Sequence, residues 1–304
     1  MSPAAESIHT LTDLEHWSFA GTALAVVGHP IAHSLSPAMH NAALEELARH
    51  DRRFRDWRYF KFDLAPADLP RALALFHAKK FLGLNLTVPH KVLALEHLVA
   101  RDEIVLAAGA ANTLRRTDAG WAGFNTDGHG LVQGLQGDFG VPVKGASLIL
   151  LGAGGAARGA AVECLRQGCR RLWIGNRTAA NRTALLGDLR KYSPDASIQG
   201  FDLAVTPADL PEDSIVVNAT SLGLQPSDPA PIDLRHLTRP ACVCDMIYNP
   251  PHTALLRQAA QLGLPHANGL SMLVHQGARA LELWSGEAAP IEIMRRAALA
   301  RLSS

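Results

Sequence analysis

The sequence predicts an α/β protein in which two strand–helix units follow one another, and three observations carry that prediction. Short apolar runs alternate with segments of helical periodicity along most of the 304 residues, the rhythm of sheets covered by helices. Apolar residues make up 48% and charged residues 19%, so the chain has ample core for one large or two ordinary domains. The stretch from Leu148 to Ala161 reads LILLGAGGAARGAA. Its four leading apolar residues form a buried-strand pattern, Gly152, Gly154 and Ala157 then fall at G-x-G-x-x-G/A spacing, and a helical pattern runs from Ala160 to Leu165. Gly152 allows a tight turn, Gly154 lets the backbone approach a pyrophosphate, and Ala157 lets helix and strand pack closely. The helix N-terminus offers free N–H groups and a positive dipole end to phosphates. With strand and helix correctly placed, the turn reads as a dinucleotide site in preference to a bare loop.

The elements before this turn make one α/β unit. Ala23 to Val27 is an apolar strand, and Ser36-Pro37 opens a helix with Ser36 as N-cap, Pro37 at the first helical position and Met39, Ala42, Ala43 and Leu47 on its apolar face. Locally, Ser34 and Ser36 fit either capping or the binding of a substrate carboxylate. Trp57 to Phe62 alternates as a strand, Leu69 to Ala78 is a helix, and Phe81 to Leu86 is a strand running into NLTVPHK, Asn85 to Lys91. Asn85, Thr87 and Lys91 stand at the C-terminal end of that strand, where open α/β sheets place ligands. A short helical region leads to GAANTL (Gly109 to Leu114), a turn at Thr117 to Gly120, and WAGFNTDG (Trp121 to Gly128). Locally, Asp127 fits no more than the N-cap of the bridging helix Gly128 to Leu135.

The second unit is regular. Arg171 to Ile174, Ser214 to Asn218 and Cys242 to Met246 are strands, and Ala179 to Leu189 and Thr253 to Leu262 are helices. Two further helices, Gly269 to Trp284 and Ile291 to Leu302, close the chain. An NAD site of this type carries an acid about 20 residues after the glycines. Here the second strand ends in Gly175-Asn176-Arg177-Thr178. Arg177, planar and always charged, suits a phosphate on the ribose 2′ position, which favours NADP over NAD.

Composition narrows the function classes. With 29 basic and 28 acidic side chains the formal charge is +1, so no bulk charge calls for nucleic acid or an anionic membrane. The arginines from Arg49 to Arg58 are interspersed with Asp51 and Asp56 and read as a solvated helix end or loop. No apolar run spans a membrane, and Met1 to Ser18 has no signal-peptide core. The first twenty residues are expected to be a loose extension. Cys164, Cys169, Cys242 and Cys244 form no C-x-x-C pair and read as reduced, mostly buried thiols of a cytoplasmic protein. His29 and His33 are separated by Pro30, which argues against a helix offering both to a metal, and no metal site is expected.

Taken together, SLSP (Ser34 to Pro37), NLTVPHK, GAANTL, GFNTDG, GAGGAA, NRT (Asn176 to Thr178), NATSLG (Asn218 to Gly223), DMIYNP (Asp245 to Pro250) and NGLSMLVHQ (Asn268 to Gln276) resemble the shikimate/quinate dehydrogenase family, on its NADP-dependent shikimate branch. The resemblance runs from about Ala23 to the end of the chain. It implies an N-terminal α/β substrate-binding and catalytic domain, residues 1–127 and 270–304, plus a Rossmann-like NADP-binding domain, residues 128–269, with a cleft between them that closes over substrate. It also implies reversible reduction of 3-dehydroshikimate to shikimate by NADPH, in aromatic amino-acid biosynthesis. By resemblance, Lys91 and Asp127 are the catalytic pair, and Ser34, Ser36, Thr87, Asn112, Tyr248 and Gln276 join them in holding the substrate. Gly152, Ala153, Gly154, Gly155 and Ala156, with Asn176, Arg177, Thr178, Asn181, Met246 and Gly269, are assigned to NADP, and Glu103 holds a position that touches the cofactor in some relatives.

Three departures stand out. Asn181 occupies a position that is often basic, with Arg182 next to it as a substitute. Ser271 stands where glycine is common, and the Arg52 to Arg58 segment is longer than a minimal relative needs. The alternatives are a quinate or dual quinate/shikimate enzyme, which the neutral and basic Asn176-Arg177-Thr178 disfavours, and a non-catalytic ligand sensor on the same scaffold, which the retained Lys91 and Asp127 disfavour. The expected partner is the small-molecule substrate; a homodimer stays open.

Overall fold

A computed structural model describes residues 7–302, and the chain divides into two units, Met1–Thr126 with Gln276–Ser304, and Asp127–His275. The first is built on a seven-stranded sheet. Its strands are β1 (Ile8–His9), β2 (Thr22–Gly28), β3 (Trp57–Asp63), β4 (Gly83–Leu86), β5 (Leu98–Arg101), β6 (Thr113–Thr117) and β7 (Gly120–Phe124), in the spatial order β1-β3-β2-β4-β6-β7-β5. The β1, β3, β2 and β4 strands run parallel, β6 and β7 form an antiparallel hairpin against β4, and β5 closes the edge parallel to β7. Helices α1 (Leu11–Glu15), α2 (Ser36–His50), α3 (Leu69–Ala78), α4 (His90–Leu93) and α5 (Glu103–Ala108) belong to the same unit. Its core stacks Phe60, Phe62, Phe76 and Phe81 with Val27, Leu84, Leu86 and Trp121. Each large side chain so buried contributes about 1.5–3 kcal/mol.

The second unit begins with α6 (Asp127–Phe139) and β8 (Ser147–Leu151). It continues through α7 (Gly155–Arg166), β9 (Arg171–Gly175), α8 (Ala179–Tyr192), β10 (Ser197–Phe201), β11 (Ile215–Asn218), β12 (Cys242–Asp245), α9 (Ala254–Gln261) and β13 (His266–Ala267). All six strands are parallel, in the order β10-β9-β8-β11-β12-β13. Strand order reverses between β8 and β11, and in open α/β sheets such a switch point opens a ligand crevice at the carboxyl ends of the strands. Helix α10 (Leu270–Ser285) contains the division between the units, between His275 and Gln276, and α11 (Ile291–Leu302) packs on α2 in the first unit.

The structure corrects several local readings. Residues 8–17 of the expected loose extension are ordered elements. β1 pairs with β3 (Ile8 opposite Lys61), and Thr10 and Asp13 form a capping box on α1. Trp17 packs edge-on against Phe60 with ring centroids 4.7 Å apart. That anchoring is tertiary, between segments some fifty residues apart, and leaves no periodic trace in so short a stretch. The first six residues of the extension and the last two of the chain lie outside the described residues. Ser36 is not the N-cap of α2: Leu35 is, without a side-chain hydrogen bond, and Ser36 and Pro37 are inside the first turn. Asp127 likewise belongs to α6 itself. The strand expected from Phe81 starts at Gly83, and β5, β6, β7 and β10 carry too little alternation to be read locally. The arginine-rich segment is a short 3-10 turn, Arg52–Phe54, capped by Asp51, with Arg53 paired to Asp51 and Glu287 at the surface. All four cysteines are free and buried.

Candidate functional site

In the first unit, the C-terminal end of β4 leads through Thr87 and the cis Val88–Pro89 bond into α4, which carries a half-buried Lys91. Thr87 N donates to Val27 O at 2.9 Å, and His90 N donates to Thr87 O at 2.8 Å. His90 Nε2 donates to Leu64 O at 2.9 Å, and burial lowers the His90 pKa. The Lys91 carbonyl accepts from Ala111 N at 2.8 Å, which ties α4 to the segment beginning at Asn112.

Asn112 is buried at the centre of a polar chain. Its Oδ1 accepts from Thr126 N at 2.8 Å and from Thr113 Oγ1 at 3.0 Å, while its Nδ2 donates to Thr126 Oγ1 at 3.0 Å and to Gln276 Oε1 at 3.3 Å. A backbone N–H can only donate, so the orientation of this amide is fixed. Asn85 Nδ2 donates to Asn112 O and Thr113 Oγ1, at 3.3 and 3.0 Å, and its Oδ1 accepts from Tyr59 Oη at 2.7 Å. The Ser36 side chain lies beside the Tyr59 phenol and lowers its pKa against the larger rise from burial. The backbone of Tyr59 is clamped by Asn41, which donates to its carbonyl and accepts from its N–H, each at 2.9 Å. His40 stacks on the phenol ring with centroids 4.2 Å apart. Burial pushes Tyr59 well above its ordinary pKa and holds His40 down to about 3, so both are neutral.

Tyr59, Asn85, Asn112 and Gln276 are thus joined by hydrogen bonds, with Ser36 beside the Tyr59 end. Ser34 is half-buried and accepts from Ser36 N at a long 3.4 Å. Thr87 sits against Gly28, where a Cβ would come within 2.4 Å of Thr87 Cγ2. Tyr59, Thr113 and Thr126 are support residues that sequence reading missed; Asn85 left one signal, a polar residue inside the buried strand GLNL.

The second unit holds Asp127, buried in the first turn of α6. It also gathers the glycine-rich turn with the ends of β11 and β12. Gly152 has a φ of +116° and a Cβ there would lie 2.8 Å from Ala219 O, so both the turn and the close approach require glycine. Gly152 N donates to Gly175 O at 2.7 Å, and Ala219 N donates to Leu151 O at 2.7 Å. Met246 N donates to Asn218 O at 2.9 Å and Gly269 N to Ile247 O at 3.1 Å. Gly152, Met246 and Gly269 therefore share one end of the sheet. Beneath them Asp245 is fully buried: its Oδ1 accepts from Asn218 Nδ2 and Ile247 N, each at 3.0 Å, and its Oδ2 from Thr253 Oγ1 at 2.7 Å. Burial raises its pKa against these bonds. Tyr248 is half-buried, just ahead of the cis Asn249–Pro250 bond.

Gly154 caps α7 without a side-chain hydrogen bond, and a Cβ built on it would meet no atom within 4 Å. Open space at an uncapped helix start beside the switch point fits the pyrophosphate of a dinucleotide. Asn176 is half-buried, with Nδ2 donating to Thr178 O at 2.9 Å, while Arg177, Thr178 and Asn181 are exposed at the end of β9. Lys91 belongs to the first unit and Asp127 to the second. Among the described residues no cluster of three or more His, Cys, Asp or Glu could hold a metal ion, and no helix is long and apolar enough to cross a membrane.

Comparison with known proteins agrees with both sheets. Residues 26–114 match the shikimate dehydrogenase substrate binding domain, and residues 269–299 match the shikimate 5'-dehydrogenase C-terminal domain. A shikimate dehydrogenase (NADP(+)) of Symbiobacterium thermophilum is 40% identical over 286 residues, 93% of this chain and 95% of its own. A crystal structure of a shikimate dehydrogenase in complex with NADP+ superposes with a TM-score of 0.82 at 32% identity, covering 93% of this chain and 96% of that one. The Thermus thermophilus enzyme in complex with NADP(H) and shikimate gives a TM-score of 0.79 at 35% identity, over 92% of this chain and all 100% of the other. The chain belongs to the shikimate dehydrogenase family.

Proposed function

We propose that the chain catalyses the reversible, NADPH-dependent reduction of 3-dehydroshikimate to shikimate, with residues 1–127 and 270–304 serving the substrate and residues 128–269 the cofactor. The observation that carries the residue assignment is the buried amide–hydroxyl chain from Tyr59 to Gln276, with Ser36 beside its Tyr59 end. A small polyol acid has little apolar surface, so only placed hydrogen bonds can recognise it, and each buried partner left unpaired costs about 1–3 kcal/mol. Ser34 and Ser36 hold the carboxylate; Thr87, Asn112, Tyr248 and Gln276 contact the carboxylate or the ring hydroxyls. When bound, NADPH supplies the hydride. The carbonyl oxygen that becomes a hydroxyl needs a proton, and Lys91 donates it, or accepts it in the reverse direction. Asp127 orients the ammonium and bonds a neighbouring substrate hydroxyl. Gly152 to Ala156 take the pyrophosphate, Asn176 to Thr178 and Asn181 the adenosine ribose and its phosphate, and Met246 and Gly269 complete the cofactor contacts.

Replacing Lys91 by Ala tests the central role. Turnover should fall by ~10²-fold or more while shikimate binding, measured directly, stays near normal. Retention of most turnover would remove Lys91 as the proton carrier. The substrate assignment is tested by assaying shikimate and quinate against NADP and NAD in all four pairings. Turnover mainly with quinate and NAD would overturn it.

A further inference from the structure

Residues 29–35 join β2 to α2 and carry Ser34, and Ser36 opens the helix. Within this loop Ser34 N donates to Ile31 O at 3.0 Å, closing a turn over Ala32 and His33, both exposed. The strand β3 then holds the loop at successive points. Side chains alternate across a strand, and Phe60 and Phe62 enter the core on one face, so Tyr59, Lys61 and Asp63 stand in a row on the other. The Ser36 side chain lies beside the Tyr59 phenol, Lys61 Nζ donates to Ala32 O at 3.0 Å, and His29 Nδ1 donates to Asp63 Oδ1 at 2.6 Å. Going up the strand by twos therefore goes back along the loop, from Ser36 to Ala32 to His29. Lys61 is only 8% exposed, and lysine is almost never buried unless its charge is paired. An aliphatic side chain would pack in the same strand with no charge to desolvate. Packing therefore does not explain a lysine at this position, and its bond to the loop does.

We propose that Lys61 and Asp63 are positioning residues for substrate binding: through the Ala32 carbonyl and His29 they fix the loop that presents the hydroxyls of Ser34 and Ser36. This rests on the assignment of those serines to the substrate carboxylate. Two hydroxyls recognise a carboxylate only while their spacing holds. Ser34 and Ser36 meet by a long bond, Ser36 N to Ser34 Oγ at 3.4 Å, which by itself is a weak constraint. The tethers from β3 supply the rest. Ala32 is exposed, so without the ammonium its carbonyl turns to water at little cost in folding. The turn that carries Ser34 is then released, while the sheet and the reacting groups on α4 stay in place.

The test is steady-state kinetics of the full chain with shikimate and NADP, with thermal melts to establish folding. Lys61→Met keeps a long apolar stem and removes the donor. It should raise KM for shikimate about tenfold, with kcat and KM for NADP within about twofold of the parent. Its melting temperature should fall by no more than about 3 °C. An unchanged KM for shikimate in folded Lys61→Met would overturn the proposal. So would comparable losses in kcat and in KM for NADP, the mark of general damage. His29→Ala acts at a side chain 52% exposed, releases the other tether and should raise KM for shikimate about threefold. Should Lys61→Met fail to fold, His29→Ala still decides, since an unchanged KM for shikimate there overturns the proposal as well. Ser34→Ala separates the underlying assignment: it should raise KM for shikimate about fivefold or more. An unchanged KM in that variant would discard the assignment of Ser34 whatever Lys61 and His29 do.

Discussion

A phenol buried in a sheet must satisfy its hydroxyl, and Tyr59 does so by donating to Asn85 Oδ1 with Ser36 beside it. Tyr59→Phe removes one oxygen and leaves the ring stacked on His40. Asn85 Oδ1 then loses its donor, so the variant should lose about 1–3 kcal/mol of stability. Because Asn85 in turn holds Thr113 and the Asn112 carbonyl, KM for shikimate should rise several-fold while NADPH binding stays constant. Unfolding curves and initial-rate kinetics check the two halves, and an unchanged KM for shikimate would sever Tyr59 from substrate recognition. Nothing in the sequence around Tyr59 announces this role, because Ser36 comes from a helix start and Asn85 from β4, which β2 separates from β3 in the sheet. Asn85 could be suspected, since an amide inside an otherwise apolar strand needs a reason. Lys91 and Asp127 enter the assignment only through the resemblance carried by the ordered set of motifs around them; a lone lysine after a strand is usually solvated. Ser36 was misjudged at the level of one residue because a cap is defined by backbone geometry, and Leu35, with φ −86° and ψ −8°, occupies it instead.

Elements were legible where their signal is local. The turn at Gly152 and the strands and helices around it follow from spacing and periodicity, and the six-stranded sheet places that turn at the switch point between β8 and β11. The pair β1 and α1 was not legible, since it is held by Lys61 and Phe62 opposite Ile8 and His9 and by the packing of Trp17. Edge strand β5 was missed for a related reason: Val99, Ala100 and Arg101 are all exposed, so no alternation marks it. The contact between α6 and α7 carries a prediction of its own. A Cβ at Gly128 would fall 2.3 Å from Glu163 Cβ and 2.4 Å from Gly159 O, distances only a displaced helix can relieve. Gly128→Ala should therefore cost about 1–3 kcal/mol in overpacking. It should also lower kcat, because the residue displaced first is Asp127 in the same helical turn. Denaturant unfolding and turnover at saturating substrate check both. A stable, fully active Gly128→Ala would mean that Asp127 does not depend on this packing.

At the scale of the whole molecule, each unit has its own sheet and core, and acid should not act on the two alike. His40 is fully buried in the first unit between Tyr59 and Trp284, with neither ring nitrogen hydrogen-bonded, and burial lowers its pKa from 6.5 to about 3. The unfolded chain takes up a proton on this histidine near its ordinary pKa while the folded chain stays neutral. Stability contributed by the neutral ring is thus complete well above pH 6.5 and is lost as pH falls from there towards 3. Between pH 7 and pH 5 the loss from His40 alone is about 2 kcal/mol. His90, lowered by burial in the same unit, acts in the same direction. Four of the five tryptophans (Trp17, Trp57, Trp121 and Trp284) lie in the first unit, and only Trp173 lies in the second. Tryptophan fluorescence therefore follows mainly the unit that holds His40. Urea unfolding read this way should show the native chain losing about 2 kcal/mol more between pH 7 and pH 5 than His40→Leu, whose side chain cannot titrate. Equal losses for the two proteins would mean that His40 takes up its proton in the folded state, and that the core around Tyr59 admits a charge.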